Sequence, residues 1–314
     1  MSVIHFSIFV KYFTGVHIYD LAIAYKWKYD KEFVELIEHS FQLSGLRTFV
    51  IGKFNLSEVI ALTKKNKISF KALLDRASDE DPEFIPFAKL LKRKKCYLIN
   101  PHNKVAKSID KVLIHKKLIK KKFQLPRTFL IQPYNKHNGL FITDEELKLL
   151  GNPFIIKPAT FSGGGEGVIR NATSLDQIQK ERIKNHSDKY IVQEKILPRM
   201  LNERRAWFRV IYAFGQVLPT WWDDKTHIYQ RVTNSETKKY NLLPLGRISK
   251  KLARITRLDY FSTEIALTKD HKFILIDYIN DQCDMRLRSN HIDGIPDEVV
   301  SEFVEAMKKK IISL

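Results

Sequence analysis

The rhythm of hydrophobic and polar positions changes once along the chain, near residue 151. Before it, short apolar runs alternate with stretches of helical period. "YDLAIAYKW" (19–27) predicts a strand, and "DKEFVELIEHSFQLSG" (30–45) an amphipathic helix with Asp30 near its start and Gly45 after its end. "LRTFVIG" predicts a second strand, "NLSEVIALTKKN" a second helix and "ISFKALLDRA" a third strand. "DPEFIPFAKLLKRK" follows as a third helix and "CYLIN" as a fourth short strand. Such βαβα alternation implies a parallel sheet with helices on its faces. Residues 1–18 fit the scheme poorly and read as an extension. "SIDKVLIHKKLIKKKF" (108–123) predicts a helix with Asp110-Lys111 at its start, and "LPRTFLIQP" a strand. After 151 the strands come in hairpin-like pairs, 153–158 with 167–171 and 206–212 with 215–221 across Phe214-Gly215. "FSTEIALT" (261–268) and "KFILIDYIN" (272–280) are the last strong strands. The expected fold class is an α/β N-terminal domain with a parallel sheet, followed by an α+β domain with antiparallel sheets.

Composition adds bounds. Apolar residues make up 44% and charged residues 28% of the 314, ordinary values for a globular chain with a sizeable core. Cys96 and Cys283 lie far apart with no metal-ligand spacing, which favours a reduced, cytoplasmic protein. No apolar run approaches the roughly 20 residues of a membrane helix. The apolar start "MSVIHFSIFVKYF" lacks a basic n-region and a cleavage site, so no signal peptide is expected. The net charge of +19 is unusual and partly clustered, in "KRKK" (92–95), "HKKLIKKK" (115–122) and "MKKKI" (307–311). A nucleic acid or other polyanion is one reading, and a solvated lysine-rich face the other. The second is favoured, because no aromatic-interleaved basic motif or nucleic-acid module is visible.

The densest chemical signal is "NPFIIKPATFSGGGEGVIRN" (152–171). Of 12 glycines in the chain, four fall within Ser162-Gly163-Gly164-Gly165-Glu166-Gly167. The loop joins two strands, which excludes a phosphate loop that must open a helix, and the dinucleotide GxGxxG fails because position 168 is valine. What remains is a glycine-rich hairpin whose amides can approach an anion, with Lys157 as a nearby point charge.

The order of features after it resembles the ATP-grasp superfamily, over roughly residues 19–312. Those features are Lys157 before the glycine loop, Gln193-Glu194 closing "YIVQEKIL", Arg209 in "RAWFRVIYAFG", and acids in "STEIAL" and "ILIDYIND". The resemblance implies a pre-ATP-grasp α/β domain over 19–107 and an ATP-grasp domain over 108–314. Within the latter it implies a glycine-loop lid at about 127–195 and a catalytic part at about 196–314. It further implies that Lys111 and Lys157, with Ser162, Gly163, Gly164, Gly165 and Gly167, hold the phosphates of ATP. Gln193, Glu194, Lys195 and Ile196 would form the adenine hinge, and Glu203 would take the ribose. Arg209, with Lys157, would serve the transferred phosphoryl group. Glu264, Asp277 and Asn280 would bind Mg²⁺, or Mn²⁺. The family pattern is Glu-x-Asn, whereas Asp277 and Asn280 are three apart, so on a regular strand they face opposite sides. A β-bulge at Tyr278–Ile279 would reunite them. Arg286, Arg288 and His227 are candidate substrate contacts, with Trp221, Trp222 and Tyr229 in the same polar-aromatic stretch as His227.

The activity so implied is an ATP- and Mg²⁺-dependent ligase joining a small-molecule or peptide carboxylate to an amine through an acyl phosphate. Two alternatives remain. One is an ATP-grasp kinase of the polyphosphate or inositol phosphate type, which the basic charge suits. The other is a non-catalytic nucleotide- or nucleic-acid-binding protein with a degenerate metal site.

Overall fold

Strand β1 (His17–Tyr25) forms the centre of a parallel sheet. Its neighbours are β2 (Thr48–Ile51) and β3 (Ile68–Arg76), and β4 (Tyr97–Ile99) completes the order β2-β1-β3-β4. Leu21, Ala22 and Ile23 are fully buried, the near-continuous apolar run that a sheet covered on both faces demands. Helices α1 (Lys31–Gln42), α2 (Leu56–Lys64) and α3 (Ile85–Arg93) make the crossovers. This computed structural model describes residues 15–160 and 165–314. Because β1 starts at His17, part of the expected extension belongs to the sheet, and the rest lies mostly outside the described residues.

The chain divides into two compact units, Met1–Pro101 with Asp284–Leu314, and His102–Cys283. The first therefore recruits the C-terminal α10 (Asp297–Ile312), which the sequence pattern had left with the second domain. The reason is packing: Val300, Phe303, Val304 and Met307 are buried on α10, and Phe303 meets Phe33 of α1 edge-on at 5.8 Å. Ser40 donates to Glu305 at 2.9 Å along the same contact.

The second unit opens with α4 (His102–Ile109) and α5 (Lys111–Lys120), where the pattern predicted one helix over 108–123. Asp110 leaves the helical region at ψ 103°, and its carboxylate accepts from the amides of Val112 and Leu113. A short side chain satisfying the orphan amides of a new helix is a standard break. Next comes a four-stranded antiparallel sheet, ordered β5-β8-β6-β7: β5 (Thr128–Ile131), β6 (Phe154–Pro158), β7 (Ile169–Ala172) and β8 (Tyr190–Glu194). Helices α6 (Asp144–Lys148) and α7 (Leu175–Lys184) join its strands.

A small hairpin, β9 (Met200–Leu201) and β10 (Arg204–Arg205), precedes the main sheet. That sheet runs β13-β12-β11-β14-β15, from β11 (Trp207–Ala213), β12 (Gln216–Trp222), β13 (Tyr229–Arg231), β14 (Tyr260–Leu267) and β15 (Phe273–Asn280). Between β13 and β14 come α8 (Asn234–Lys239) and α9 (Leu243–Thr256). Phe208, Val210, Phe261 and Ile265 face one core with residues of α4, α5 and α9. Strand alternation turns Trp207, Arg209 and Glu264 to the other face. The fold class is as the sequence pattern predicts.

Candidate functional site

Cross-strand register builds the site. Arg209 lies opposite Glu264, and Glu264 opposite Asp277, so one row across β11, β14 and β15 carries a cation and two carboxylates on one face. Arg209 is ion-paired with Glu264, whose other oxygen accepts from Trp207 Nε1 at 3.1 Å. The guanidinium stacks over Trp222, 4.4 Å from its ring centroid. Burial works against the Arg209 charge, but Glu264 and Tyr229 outweigh it and raise the pKa above the ordinary arginine value.

Lys157 enters from the facing sheet. It is 8% exposed, and its Nζ donates to the Ile276 carbonyl on β15 at 3.3 Å. Burial lowers its pKa; Asp277 and Glu264 act in the opposite sense, and Lys111 and Arg170 reinforce the lowering. Lys157, Lys111, Arg170, Asp277 and Glu264 thus share one electrostatic neighbourhood. Lys111 begins α5, its amide bonded to the Ala159 carbonyl at 3.1 Å. Asp110 beside it pairs with Lys189 at 2.8 Å.

Asp277 and Asn280 depend on a local irregularity. Ser262 pairs with Asn280 and Glu264 with Asp277, so three steps on β15 match two on β14. The extra residue falls at Tyr278–Ile279, where the sequence departure from Glu-x-Asn requires it. Asp277 and Asn280 are both half-buried, while Tyr278 and Ile279 are buried. The set Glu264, Asp277 and Asn280 offers only oxygen ligands, as Mg²⁺ demands of a site that shares its coordination with phosphates and water. Among the described residues no group of three or more His, Cys, Asp or Glu gathers into a metal cluster.

The hinge residues divide. Gln193 is buried and donates through Nε2 to Thr128 Oγ1 and to the Tyr278 hydroxyl, both at 3.0 Å. Glu194 Oε1 accepts from the Arg127 amide at 2.7 Å, and Lys195 Nζ donates to Asn171 at 2.6 Å. Ile196 is half-buried. Glu203 stands exposed at the tip of the β9–β10 turn with φ 63°. In the glycine loop, Gly165 and Gly167 have positive φ, 86° and 68°, while Ser162, Gly163 and Gly164 lie outside the described residues.

The substrate candidates also separate. Trp221 points into the core against Phe208, 4.7 Å away, whereas Trp222 faces Arg209. The alternation of a strand splits the pair. His227 stacks on Trp222 at 5.3 Å from a left-handed turn position, φ 59°. Arg286 belongs to the first unit. It donates to both carboxylates of Asp284 and Asp293, which raise its pKa, and lies over Trp27. Arg288 is half-buried in the same unit, its amide donating to the Ile295 carbonyl.

Sequence reasoning missed Arg170 and the buried pair of His115 and Tyr278. Arg170 is on β7, and its Nη2 lies 3.6 Å from where a Gly165 Cβ would stand. A cation leaving a glycine hairpin was the available signal. His115 Nδ1 meets the Tyr278 hydroxyl at 2.6 Å, a pairing 163 residues apart that no local pattern announces.

No protein-family model matches the chain, and no curated protein does. Solved structures do. Macrocyclase MdnC from Microcystis aeruginosa, bound with precursor peptide MdnA, is 12% identical over 95% of this chain and 100% of that one, with a TM-score of 0.59. A RimK-domain ATP-grasp protein from Sphaerobacter thermophilus is 17% identical over 91% and 98%, at 0.58. D-alanine–D-alanine ligase from Bacillus anthracis, solved with ATP, is 14% identical over 92% and 98%, at 0.57. The chain has the fold of the ATP-grasp proteins over 91–95% of its length.

Proposed function

We propose that the protein is an ATP-dependent ligase that joins a carboxylate to an amine. The row Arg209–Glu264–Asp277, met from the facing sheet by buried Lys157, carries this reading. A lysine so placed has no use for its charge in packing. Its surroundings, with Lys111 and Arg170 beside it, suit a group of several negative charges. Solved ATP-grasp ligases of this fold include one complexed with minimal precursor, Mg and ADP.

In this reading Lys157, Lys111 and Arg170 bind the phosphates, together with amides of the loop Ser162–Gly167. Backbone groups around Glu194–Ile196 bind the adenine edge, and Glu203 the ribose. A divalent cation at Glu264, Asp277 and Asn280 would neutralise phosphate charge. Arg209 steadies charge on the transferred phosphoryl group, its plane fixed by Glu264 and Trp222. The substrate carboxylate oxygen attacks the γ-phosphorus and ADP leaves. The amine then attacks the acyl carbon, phosphate leaves, and the amine proton passes to solvent. Trp222, Tyr229 and His227 line the approach to Arg209 and contact the acid or amine. Charge stabilisation and positioning supply most of the rate.

The test is product stoichiometry over panels of acids, amines and peptides. ADP and inorganic phosphate released together, only when acid and amine are both present, is the expected result. Phosphate retained on a single acceptor would replace the ligase by a kinase, and ATP binding without turnover would replace it by a binding protein. Asp277→Asn should abolish cation-dependent turnover with the fold intact; full activity in that variant removes Asp277 from the ligands.

A further inference from the structure

The helices α4, α5 and α9 cover the face of the main sheet opposite Arg209 and Glu264, seated on one apolar core through Val105, Ile109, Ile114, Leu118, Leu245 and Leu252. Residues 102–123 contain eight Lys and Arg and residues 241–259 five, with only two carboxylates, Asp110 and Asp259. Neither acid is exposed: Asp110 is buried against Lys189 and the start of α5, and Asp259 is half-buried. On α9, Arg247, Lys250, Lys251 and Arg254 stand at i, i+3, i+4 and i+7, all exposed. That is one complete helical stripe of a single sign.

The stripe is fixed in place. Lys104 Nζ donates to the Arg257 carbonyl at the end of α9 at 3.1 Å, and Lys251 Nζ donates to the Lys121 carbonyl at 2.6 Å. These bonds dock α9 on α4 and on the end of α5, whose Lys116, Lys117 and Lys120 are also exposed. Some helical lysines elsewhere are paired, as Lys180 with Asp176 and Lys31 with Glu35. Among the described residues no ion pair joins an exposed cation of α5 or α9 to a carboxylate. Like charges three and four residues apart cost helix stability, a cost that a bound polyanion would relieve.

We infer that this helical layer binds the phosphate backbone of a nucleic-acid duplex without reading its sequence. The dimensions agree. The 14 residues of α9 span about 21 Å, over which a duplex carries about 12 phosphates. Eleven of the thirteen cations are exposed to meet them. Single-stranded binders interleave aromatics to stack bases, whereas the ring beneath Lys251, Phe123, lies half-buried. A membrane-surface helix lays an apolar face into lipid. Here the apolar face of α9 is spent on the core, and the exposed apolar Leu113, Ile119 and Leu243 stand singly.

The experiment measures binding of the full chain to a 20-base-pair DNA duplex, a duplex RNA of the same length, polyglutamate, and vesicles of phosphatidylserine and phosphatidylcholine, across salt. Both duplexes should bind, with affinity falling at least about 100-fold between 50 and 200 mM salt. The variant R247E/K250E/K251E/R254E should lose at least about 10-fold, with a shallower salt slope. K92E/R93E/K94E/K95E, on the exposed run of the first unit, makes the same change in net charge and should lose far less. ATP affinity and the circular dichroism spectrum serve as fold checks on both. Equal loss in the two variants, absence of duplex binding at 50 mM salt, or tighter binding to vesicles or polyglutamate than to duplexes would overturn the inference. None of these outcomes bears on the ligase reading, because the stripe lies behind the catalytic sheet.

Discussion

Lys157 shows how far a single residue departs from what packing alone would choose. Its pKa is lowered because burial outweighs the attraction of Asp277 and Glu264. The folded state therefore holds that proton less tightly than the unfolded chain, and the charge costs stability below the lowered pKa. The cost disappears as pH rises through the ordinary lysine range. Lys157→Met keeps the stem and removes the charge, so thermal unfolding at pH 7 should move up by a few degrees. ATP affinity should fall by at least about 10-fold. Calorimetry and nucleotide titration read the two quantities separately; an unchanged ATP affinity would remove Lys157 from the phosphate site. The sequence exposed this residue because its neighbours Ile155, Ile156 and Pro158 left no surface reason for a lysine. It could not expose Arg209's partners, since Trp222 and Glu264 meet the guanidinium only through strand register.

At the scale of elements, a buried polar chain ties α5, β15, β8 and β5 together. Gln193 donates to the Tyr278 oxygen, and the Tyr278 hydroxyl shares a second hydrogen bond with His115 Nδ1 whose donor is set by the imidazole tautomer. Burial lowers the His115 pKa from 6.5 to about 4. Below pH 6.5 the unfolded chain takes a proton that the folded chain refuses, until about pH 4. Stability is therefore complete above 6.5 and falls by about 3 kcal/mol on the way down to 4. Denaturant unfolding at pH 7 and pH 4.5 should show most of this loss, and His115→Phe should flatten the dependence. A wild-type stability that stays level over the range would show that His115 is not the titrating group. Tyr278→Phe should cost about 1–3 kcal/mol by leaving Gln193 and His115 without their shared partner. The same strand carries the bulge. Its need was legible in the spacing of Asp277 and Asn280, but its existence depends on Tyr278 and Ile279 both being held in the core. Sequence reasoning missed the helices between β13 and β14, although α9 carried the signal: Leu245, Leu252 and Ala253 are buried at helical spacing, opposite exposed Arg247, Lys250, Lys251 and Arg254. The helix start at Asp110-Lys111 was legible in the sequence, whereas α4 just before it was not.

At the scale of the whole molecule, chain order and spatial order part company at Cys283. The parallel sheet of the first unit was legible from alternation alone, since each crossover helix follows its strand within a few residues. The last helix was not, because its partner α1 precedes it by more than 250 positions and no local signal records the meeting. That contact makes the first unit discontinuous and gives α10 a structural duty there. Phe33, Val34, Ile37 and Phe41 are buried on α1, and Phe33 rests on Phe303. Ending the chain after Cys283 removes α10 and strips part of that apolar cover, at about 25 cal/mol for each Å² exposed. Amide exchange should then rise across α1 and β1–β3, which the first unit holds, and stay unchanged in β11, β14 and β15. Phe303→Ala should do the same in smaller measure, costing about 3–5 kcal/mol for the cavity. Full protection of α1 in the truncated chain would show that the first unit closes its core without α10.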